Sequence, residues 1–250
     1  MGVLSKMIDT MRKMLKSKAF WITLVVLYAC VQTVLGVMMQ VSDGRVINTC
    51  QFGAIILACL CCAVLAERSR EYAFTQVALV FTVCADYFLV WTQPIKQLPA
   101  MAFFLCAQTA YAARLYLLAG KTERRVQLIS RVALCAVIVG VTLAVLGHNA
   151  DALAIVSMLY YAQLMLNVVF AFVKFRSRAV LAIGFLLFLL CDTVIGLDLI
   201  NGYLPIPPDA LLYKIIRPGF NLAWVFYLPS QVLLSLSLLQ KKFGKEAHGK

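Results

Sequence analysis

Long apolar stretches recur along the whole chain and are separated by short polar and charged segments. Eight of them have roughly the length that an α-helix needs to cross a bilayer, about 17–25 residues. The pattern therefore predicts an all-α, polytopic membrane protein with eight transmembrane helices. The predicted spans are 20–39, 51–66, 73–91, 99–118, 126–146, 153–175, 179–199 and 220–239.

The segments that flank the spans predict the domain organisation. Residues 1–19 carry apolar and basic side chains at helical spacing, which is typical of an amphipathic helix on an anionic membrane surface. Residues 20–239 form the transmembrane domain, and residues 240–250 form a basic tail. With 63% hydrophobic residues, the chain has no segment left for a separate soluble domain.

The basic residues predict the orientation. All but four of the 23 lysines and arginines lie on the side of the chain termini. The positive-inside rule then places both termini in the cytoplasm. The net charge of +12 is mainly a topology signal, with membrane lipid head groups as partners and no role in nucleic-acid binding. The strong bias and the lack of organelle signals predict the plasma membrane of a bacterium. The four exceptions are Arg45, Lys96, Lys214 and Arg217.

Two aspartates interrupt the apolar runs, Asp86 in span three and Asp192 in span seven. An ionisable group in hydrocarbon costs several kcal/mol unless it faces protein or a wet cavity, so such a group indicates a functional site. We predict no lysine or arginine beside either one. Two carboxyls in a dry site cannot both ionise easily, which leaves an acid and a conjugate base at neutral pH. That pair suits general acid chemistry on an acid-labile ether, and equally proton-coupled transport.

Short motifs recur in the two halves of the chain. Span three carries Cys84-Ala-Asp86, and span seven carries Leu190-Cys-Asp192. Span four carries Cys106-Ala-Gln108, and span eight carries Pro229-Ser-Gln231. This order is compatible with two parallel four-helix repeats, which place both aspartates at similar depth.

Further polar side chains inside the spans are candidates for binding or positioning. Polar groups in membrane helices also act simply as interhelical hydrogen bonds, so both readings stay open. Two histidines, His148 and His248, lie outside the spans, and the sequence predicts no metal site and no cofactor. The candidates are Gln108 and Tyr111 in span four, Tyr160, Gln163 and Asn167 in span six, and Tyr227, Ser230 and Gln231 in span eight.

Four motifs in order resemble the YhhN-like lysoplasmalogenase family, which is also an integral membrane family. They are Phe81–Leu89 around Asp86, Gln108-x-x-Tyr111, Phe188–Asp192, and Phe226-Tyr-Leu-Pro-Ser-Gln231. The chain departs from the family pattern at Ala85 and Cys191, where many members have glycine and serine; both positions stay small.

The resemblance implies hydrolysis of the vinyl ether bond of a lysophospholipid, the lysoplasmalogen, to a fatty aldehyde and a glycerophospho-base. Asp86 and Asp192 would be the catalytic residues. Gln108, Gln231 and Tyr227 would position the carboxyls and the water. Lys214 or Arg217, beside a short helix expected at 210–216 in the longest outer loop, would hold the phosphate.

Two other classes of function remain compatible with the residues. The first is a proton-coupled transporter of small molecules or lipids that uses the same aspartate pair as its proton carrier. The second is a lipid-binding or scaffold protein in which the aspartates only hold helices together. Release of an aldehyde distinguishes the enzyme from the transporter, because a transporter makes no new product.

Overall fold

The computed structural model describes residues 18–65, 68–200, 207 and 209–239. Regular structure in these residues is entirely helical, as the apolar pattern predicts. Nearly all of the predicted amphipathic segment 1–19, and the whole basic tail 240–250, lie outside the described residues. The helices are α1 Lys18–Val41, α2 Arg45–Leu65, α3 Arg70–Asp86, α4 Gln97–Leu118, α5 Lys121–Leu146, α6 Ala152–Val173, α7 Phe175–Ile200, α8 Leu211–Ile216 and α9 Leu222–Leu236.

Seven of the described helices, α1 to α7, are long and apolar enough to cross a membrane. This confirms an all-α membrane protein. The eighth predicted span, 220–239, corresponds to α9, which has only 15 helical residues. At 1.5 Å per residue that is about 22 Å, less than the thickness of a bilayer core. The count of eight spans and the cytoplasmic termini therefore stay predictions. The short helix expected at 210–216 is present as α8.

Three helices begin at side chains that accept a hydrogen bond from the first turn. Ser69 accepts from the backbone of Tyr72 at the start of α3. Asp151 does the same for α6 and Asn221 for α9. Such caps satisfy backbone N–H groups that have no partner inside the helix. The polar residues between apolar runs thus determine where these helices start.

Six helices form a closed ring. The contacts run α2–α3, α3–α4, α4–α6, α6–α7, α7–α9 and α9–α2. Outside the ring, helix α1 packs on α2 and also contacts α9, and α5 packs on α6. The first half of the chain therefore packs in the same order as the second half. That order is the one expected for two parallel four-helix repeats, with α3 and α7 on opposite sides of the ring.

Large side chains fill the ring. Phe185 and Phe188 of α7 are fully buried, and so is Tyr111 of α4. Lipid tails are as apolar as leucine, so van der Waals packing and hydrogen bonds hold membrane helices together, with little hydrophobic driving force between them. Close approach is visible at Gly184, where an added Cβ would lie 3.1 Å from the Leu234 side chain of α9. A small residue is needed there.

Candidate active site

Asp86 lies at the point where α3 changes geometry. It is the last α-helical residue, and Tyr87–Trp91 continue as a π-helical turn. Such turns are rare and are frequent at functional sites. Asp86 is 2% exposed. The hydroxyl of Tyr227 on α9 donates a hydrogen bond to its Oδ2 at 2.6 Å. Asp86 is thus a buried carboxyl that accepts a hydrogen bond from a tyrosine.

Asp192 on α7 has the same kind of partner but a different exposure. The hydroxyl of Tyr160 on α6 donates to its Oδ2. Asp192 is half-buried, whereas Asp86 is almost completely buried. The two carboxyls are close enough for the charge of Asp192 to act on Asp86. The structure therefore brings together the two predicted acids and two of the predicted tyrosines.

An aromatic enclosure surrounds the two tyrosines. The ring of Phe104 stacks on Tyr160 with 5.4 Å between centroids and meets Tyr227 edge to face at 6.5 Å. Phe188 lies 5.4 Å from Tyr227, and Trp224 lies 5.0 Å from the same ring. The negative faces of such rings attract a cation that is shielded from water. Sequence analysis gave these aromatic residues no role in the site, because an aromatic residue in an apolar run gives no sign of which side chains it will touch.

Three of the other predicted residues form a separate polar network. Arg131 of α5 donates to Gln163 Oε1 at 2.6 Å and to Asn167 Oδ1 at 2.7 Å. Asn167 in turn donates to Gln108, at 2.8 Å from Oε1 and 3.0 Å from the backbone oxygen. The polar residues of α6, predicted as one face of span six, therefore have two kinds of partner. Tyr160 is hydrogen-bonded to Asp192, while Gln163 and Asn167 are hydrogen-bonded to Arg131.

A third polar cluster lies near the end of α4. Arg114 is fully buried and donates to Ser237 at 2.7 Å. Its Nη2 is 4.0 Å from Glu71, which also pairs with Arg178 at 3.2 Å. Tyr111, one turn earlier on α4, is packed edge to face on Phe185.

Two arginines were counted by the sequence analysis only as charges on one membrane face, whereas Arg114 is enclosed by protein and Arg131 is half-buried. Neither pairs with an aspartate in the contacts described above. The spacing of Gln108, Tyr111 and Arg114 along one helix face was the signal available for Arg114.

The remaining predicted residues lie on either side of the enclosure. Ser230 and Gln231 are fully buried on α9, and the Gln231 amide lies 3.4 Å from the Ser230 hydroxyl. Lys214 and Arg217 are exposed at α8. Arg217 pairs with Asp198 at 2.6 Å, and this hydrogen bond raises the pKa of Arg217 above its usual value. These two cations do not belong to the buried cluster.

The fold and the site define a class: a multi-pass, all-helical membrane protein with a tyrosine-bonded pair of carboxyls inside a ring of helices. The chain belongs to the YhhN family, whose model matches residues 49–238. The match extends from the first turns of α2 to the end of α9 and includes both aspartates, and it confirms the resemblance seen in the motifs. Comparison with curated proteins found no match, and neither did comparison with solved structures.

Proposed function

We propose that this protein is a membrane hydrolase that cleaves the vinyl ether bond of lysoplasmalogens, giving a fatty aldehyde and a glycerophospho-base. The YhhN family is associated with hydrolase activity, which supports the reaction class. The observation that carries the proposal is the enclosure itself: two carboxyls, each bonded by a tyrosine hydroxyl, among aromatic rings. An acid, a base and a cation-stabilising wall are the parts that this reaction needs.

The reaction starts with proton transfer to carbon. One protonated aspartate gives its proton to the outer carbon of the vinyl ether, and an oxocarbenium ion forms. The other aspartate, ionised, stabilises that cation and takes a proton from the water that adds to the carbon beside the oxygen. The product of this addition is a hemiacetal.

The hemiacetal then collapses. Its carbon–oxygen bond to glycerol breaks, and the second aspartate returns its proton to the leaving oxygen. The hemiacetal hydroxyl gives its proton to the first aspartate as the aldehyde forms. One water is consumed, and both carboxyls regain their starting states.

Burial supports an assignment of the two roles. Asp86 is 2% exposed, while Asp192 is half-buried. A charge is most costly where water is least accessible, so Asp86 carries the proton in the resting site. Asp192, with its greater exposure, acts as the ionised partner that handles the water. Tyr227 and Tyr160 orient the two carboxyls.

Two places are candidates for the substrate phosphate. Lys214 and Arg217 at α8 have the required charge, but a phosphate at Arg217 has to exchange with Asp198. Arg114 is buried, and its Nε has no hydrogen-bond partner among the described residues.

Membrane lipids surround the ring, and the plasma membrane of a bacterium is the proposed location.

The test is aldehyde release by the purified protein from an ethanolamine or choline lysoplasmalogen. The saturated ether analogue serves as the control, because it has no double bond to protonate. Aldehyde from the vinyl ether alone supports the proposal. If the folded protein releases no aldehyde from any vinyl ether lysolipid, the hydrolase is excluded. The proton-coupled transporter, which uses the same aspartate pair, then becomes the leading candidate.

A further inference from the structure

Two buried glutamines lie level with each other on α4 and α9. The rings of Phe104 and Tyr227 are 6.5 Å apart, and Arg114 donates to Ser237 at 2.7 Å. In both pairs the partners are 123 residues apart in sequence. The two helices therefore run in the same direction and keep one register between these contacts. Gln108 and Gln231 have the same separation and lie between the two pairs, so each is at the same level as the other.

The polarity of the Gln108 amide is determined by Arg131. A guanidinium only donates hydrogen bonds, so the Asn167 atom that it contacts has to be the oxygen, Oδ1. The amide nitrogen of Asn167 then faces Gln108 and needs an acceptor, which is Gln108 Oε1 at 2.8 Å. This orientation leaves the other amide atom of Gln108, the donor Nε2, on the side away from Asn167. It is buried and has no partner among the described residues.

Gln231 presents the opposite polarity. In the structure the Ser230 hydroxyl, 3.4 Å away, accepts from its Nε2, and in this orientation Oε1 is the other end of the amide. Oε1 is buried and has no partner within the described part of the chain. The two glutamines are both 0% exposed. A buried donor and a buried acceptor without partners each carry a penalty that a bound group can remove.

We propose that Gln108 and Gln231 bind the free sn-2 hydroxyl of the lysolipid glycerol, with Arg131 as a positioning residue. A hydroxyl is the simplest group that fits both ends, because its oxygen accepts from Gln108 and its hydrogen is donated to Gln231. An ester or methyl ether at the same position can accept but cannot donate. The assignment rests on the proposed function, since the ligand is taken to be the substrate of the aspartate pair.

The spacing between the two sites fits this substrate. Gln108 and Gln231 lie four residues beyond Phe104 and Tyr227, which is about 6 Å along each helix. In a lysoplasmalogen, five bonds join the carbon that is protonated to the sn-2 oxygen, about 6 Å in an extended chain. When the hydroxyl is at the glutamines, the vinyl ether therefore lies level with Phe104 and with Tyr227, whose hydroxyl is bonded to Asp86.

The same placement gives the direction of the head group. From the hydroxyl, the head group points along α4 toward Tyr111 and Arg114 and away from Lys214 and Arg217, so the rings of Tyr111 and Phe185, 5.1 Å apart, have to separate to admit it. Of the two candidate phosphate sites, this favours Arg114. Tyr111 contributes a buried hydroxyl that has no partner among the described residues.

The test compares two substrates that differ only at the sn-2 position. One is a vinyl ether lysophosphoethanolamine with a free hydroxyl, and the other is its sn-2 methyl ether. We expect the wild-type protein to favour the free hydroxyl by about tenfold or more in kcat/KM. Gln108→Met and Gln231→Met, which keep side-chain volume, should reduce the preference to within about twofold.

Gln32→Met is the matched control. Gln32 is also buried, and its Oε1 also lacks a partner in the described residues, but it lies on α1 outside the ring. This variant should keep the wild-type preference. A preference that is absent from the wild type, or that persists in both Gln108→Met and Gln231→Met, overturns the proposal. Equal losses on both substrates would assign the pair to a bound water and overturn it as well.

A binding measurement separates this proposal from the proposed reaction. Saturated ether lysolipids cannot react, so the thermal shift that they cause in detergent-solubilised protein reports binding alone. The free-hydroxyl compound should shift the melting temperature more than its methyl ether does, and Gln231→Met should remove the difference. That result supports the hydroxyl site even if no aldehyde is ever released. Equal shifts from both compounds in the wild-type protein overturn it.

Discussion

The hydroxyl of Tyr227, which donates a hydrogen bond to the buried Asp86, offers the most direct test of the site. Tyr227→Phe removes one oxygen and keeps the ring that packs against Phe104, Phe188 and Trp224. The oxygen lost is the donor at 2.6 Å from Asp86. Because Asp86 is 2% exposed, water has little access to replace that donor. The carboxyl is then free to rotate away from the productive position.

The magnitude follows from the burial of each carboxyl. A buried acceptor that loses its donor and gains no water costs about 1–3 kcal/mol, so Tyr227→Phe should lower kcat about 5-fold to 150-fold. Asp192 is less completely buried than Asp86, so we expect a water to take the place of the Tyr160 hydroxyl there. Tyr160→Phe should therefore cost only about 0.5–1.5 kcal/mol, a 2-fold to 10-fold loss. The prediction is that Tyr227→Phe lowers kcat more than Tyr160→Phe does.

The assay is aldehyde release at saturating lysoplasmalogen, with thermal unfolding of each variant measured in the same detergent. Interhelical hydrogen bonds in membranes average about 0.6 kcal/mol and reach about 1.7, so both variants should stay folded. Tyr161→Phe is the matched control, because it removes a hydroxyl bonded to Thr193 beside the site and leaves both carboxyls untouched. A wild-type kcat for Tyr227→Phe, or a larger loss for Tyr160→Phe, would refute the reasoning.

Four further variants test other parts of the site. Asp86→Asn and Asp192→Asn each remove a proton donor or acceptor and should lower kcat about 10²-fold to 10⁴-fold, measured by aldehyde release, with the thermal unfolding profile retained. Asn167→Asp keeps an acceptor for Arg131 but loses the donor to Gln108. The Gln108 amide is then expected to turn its oxygen inward, and the preference for the free sn-2 hydroxyl should fall to within about twofold, measured by kcat/KM. Arg114→Met removes the hydrogen bond to Ser237 and one of the two arginines beside Glu71, which keeps Arg178 at 3.2 Å, and should lower the stability by about 1.5–3 kcal/mol, measured by thermal unfolding in detergent.

Each of these outcomes has a clear opposite. Normal turnover in either asparagine variant would exclude the carboxyl mechanism. If the wild-type protein releases no aldehyde and the asparagine variants are less stable than it, the scaffold interpretation of the aspartates is favoured instead. For Asn167→Asp, an unchanged preference for the free hydroxyl would show that Asn167 does not orient the Gln108 amide, which would exclude Arg131 as a positioning residue. For Arg114→Met, an unchanged melting temperature would show that Arg114 is not a structural element of the ring.

A helix outside the ring contributes to its interior. Arg131 belongs to α5, which packs on α6, yet its guanidinium determines the orientation of an amide on α4 through Asn167. The charge is stabilised there by two amide oxygens and by the ring of Phe170 at 5.7 Å. A residue at the lipid-facing edge can therefore control the polarity of a buried site without touching it.

The apolar pattern was sufficient to predict the helices, the membrane environment and the two acids of interest. A 20-residue apolar run has few alternatives to a helix in lipid, because each backbone N–H and C=O has to be satisfied within the segment. An aspartate inside such a run is costly wherever it points, so its importance can be inferred without knowing its neighbours. The equal spacing of Gln108 and Gln231 in the two halves was also visible in the motifs.

The tertiary structure alone decided which groups meet. Tyr227 reaches Asp86 across 141 residues, and no local pattern contains that pairing. The depth of Arg114 and the half-burial of Arg131 were equally hidden, since a count of positive charges gives the side of the membrane and not the face of the helix. The division of span six between Tyr160 and the pair Gln163 and Asn167 depends on which helices lie beside it. Sequence periodicity specifies the faces of each helix, whereas the packing of the ring determines what each face contacts.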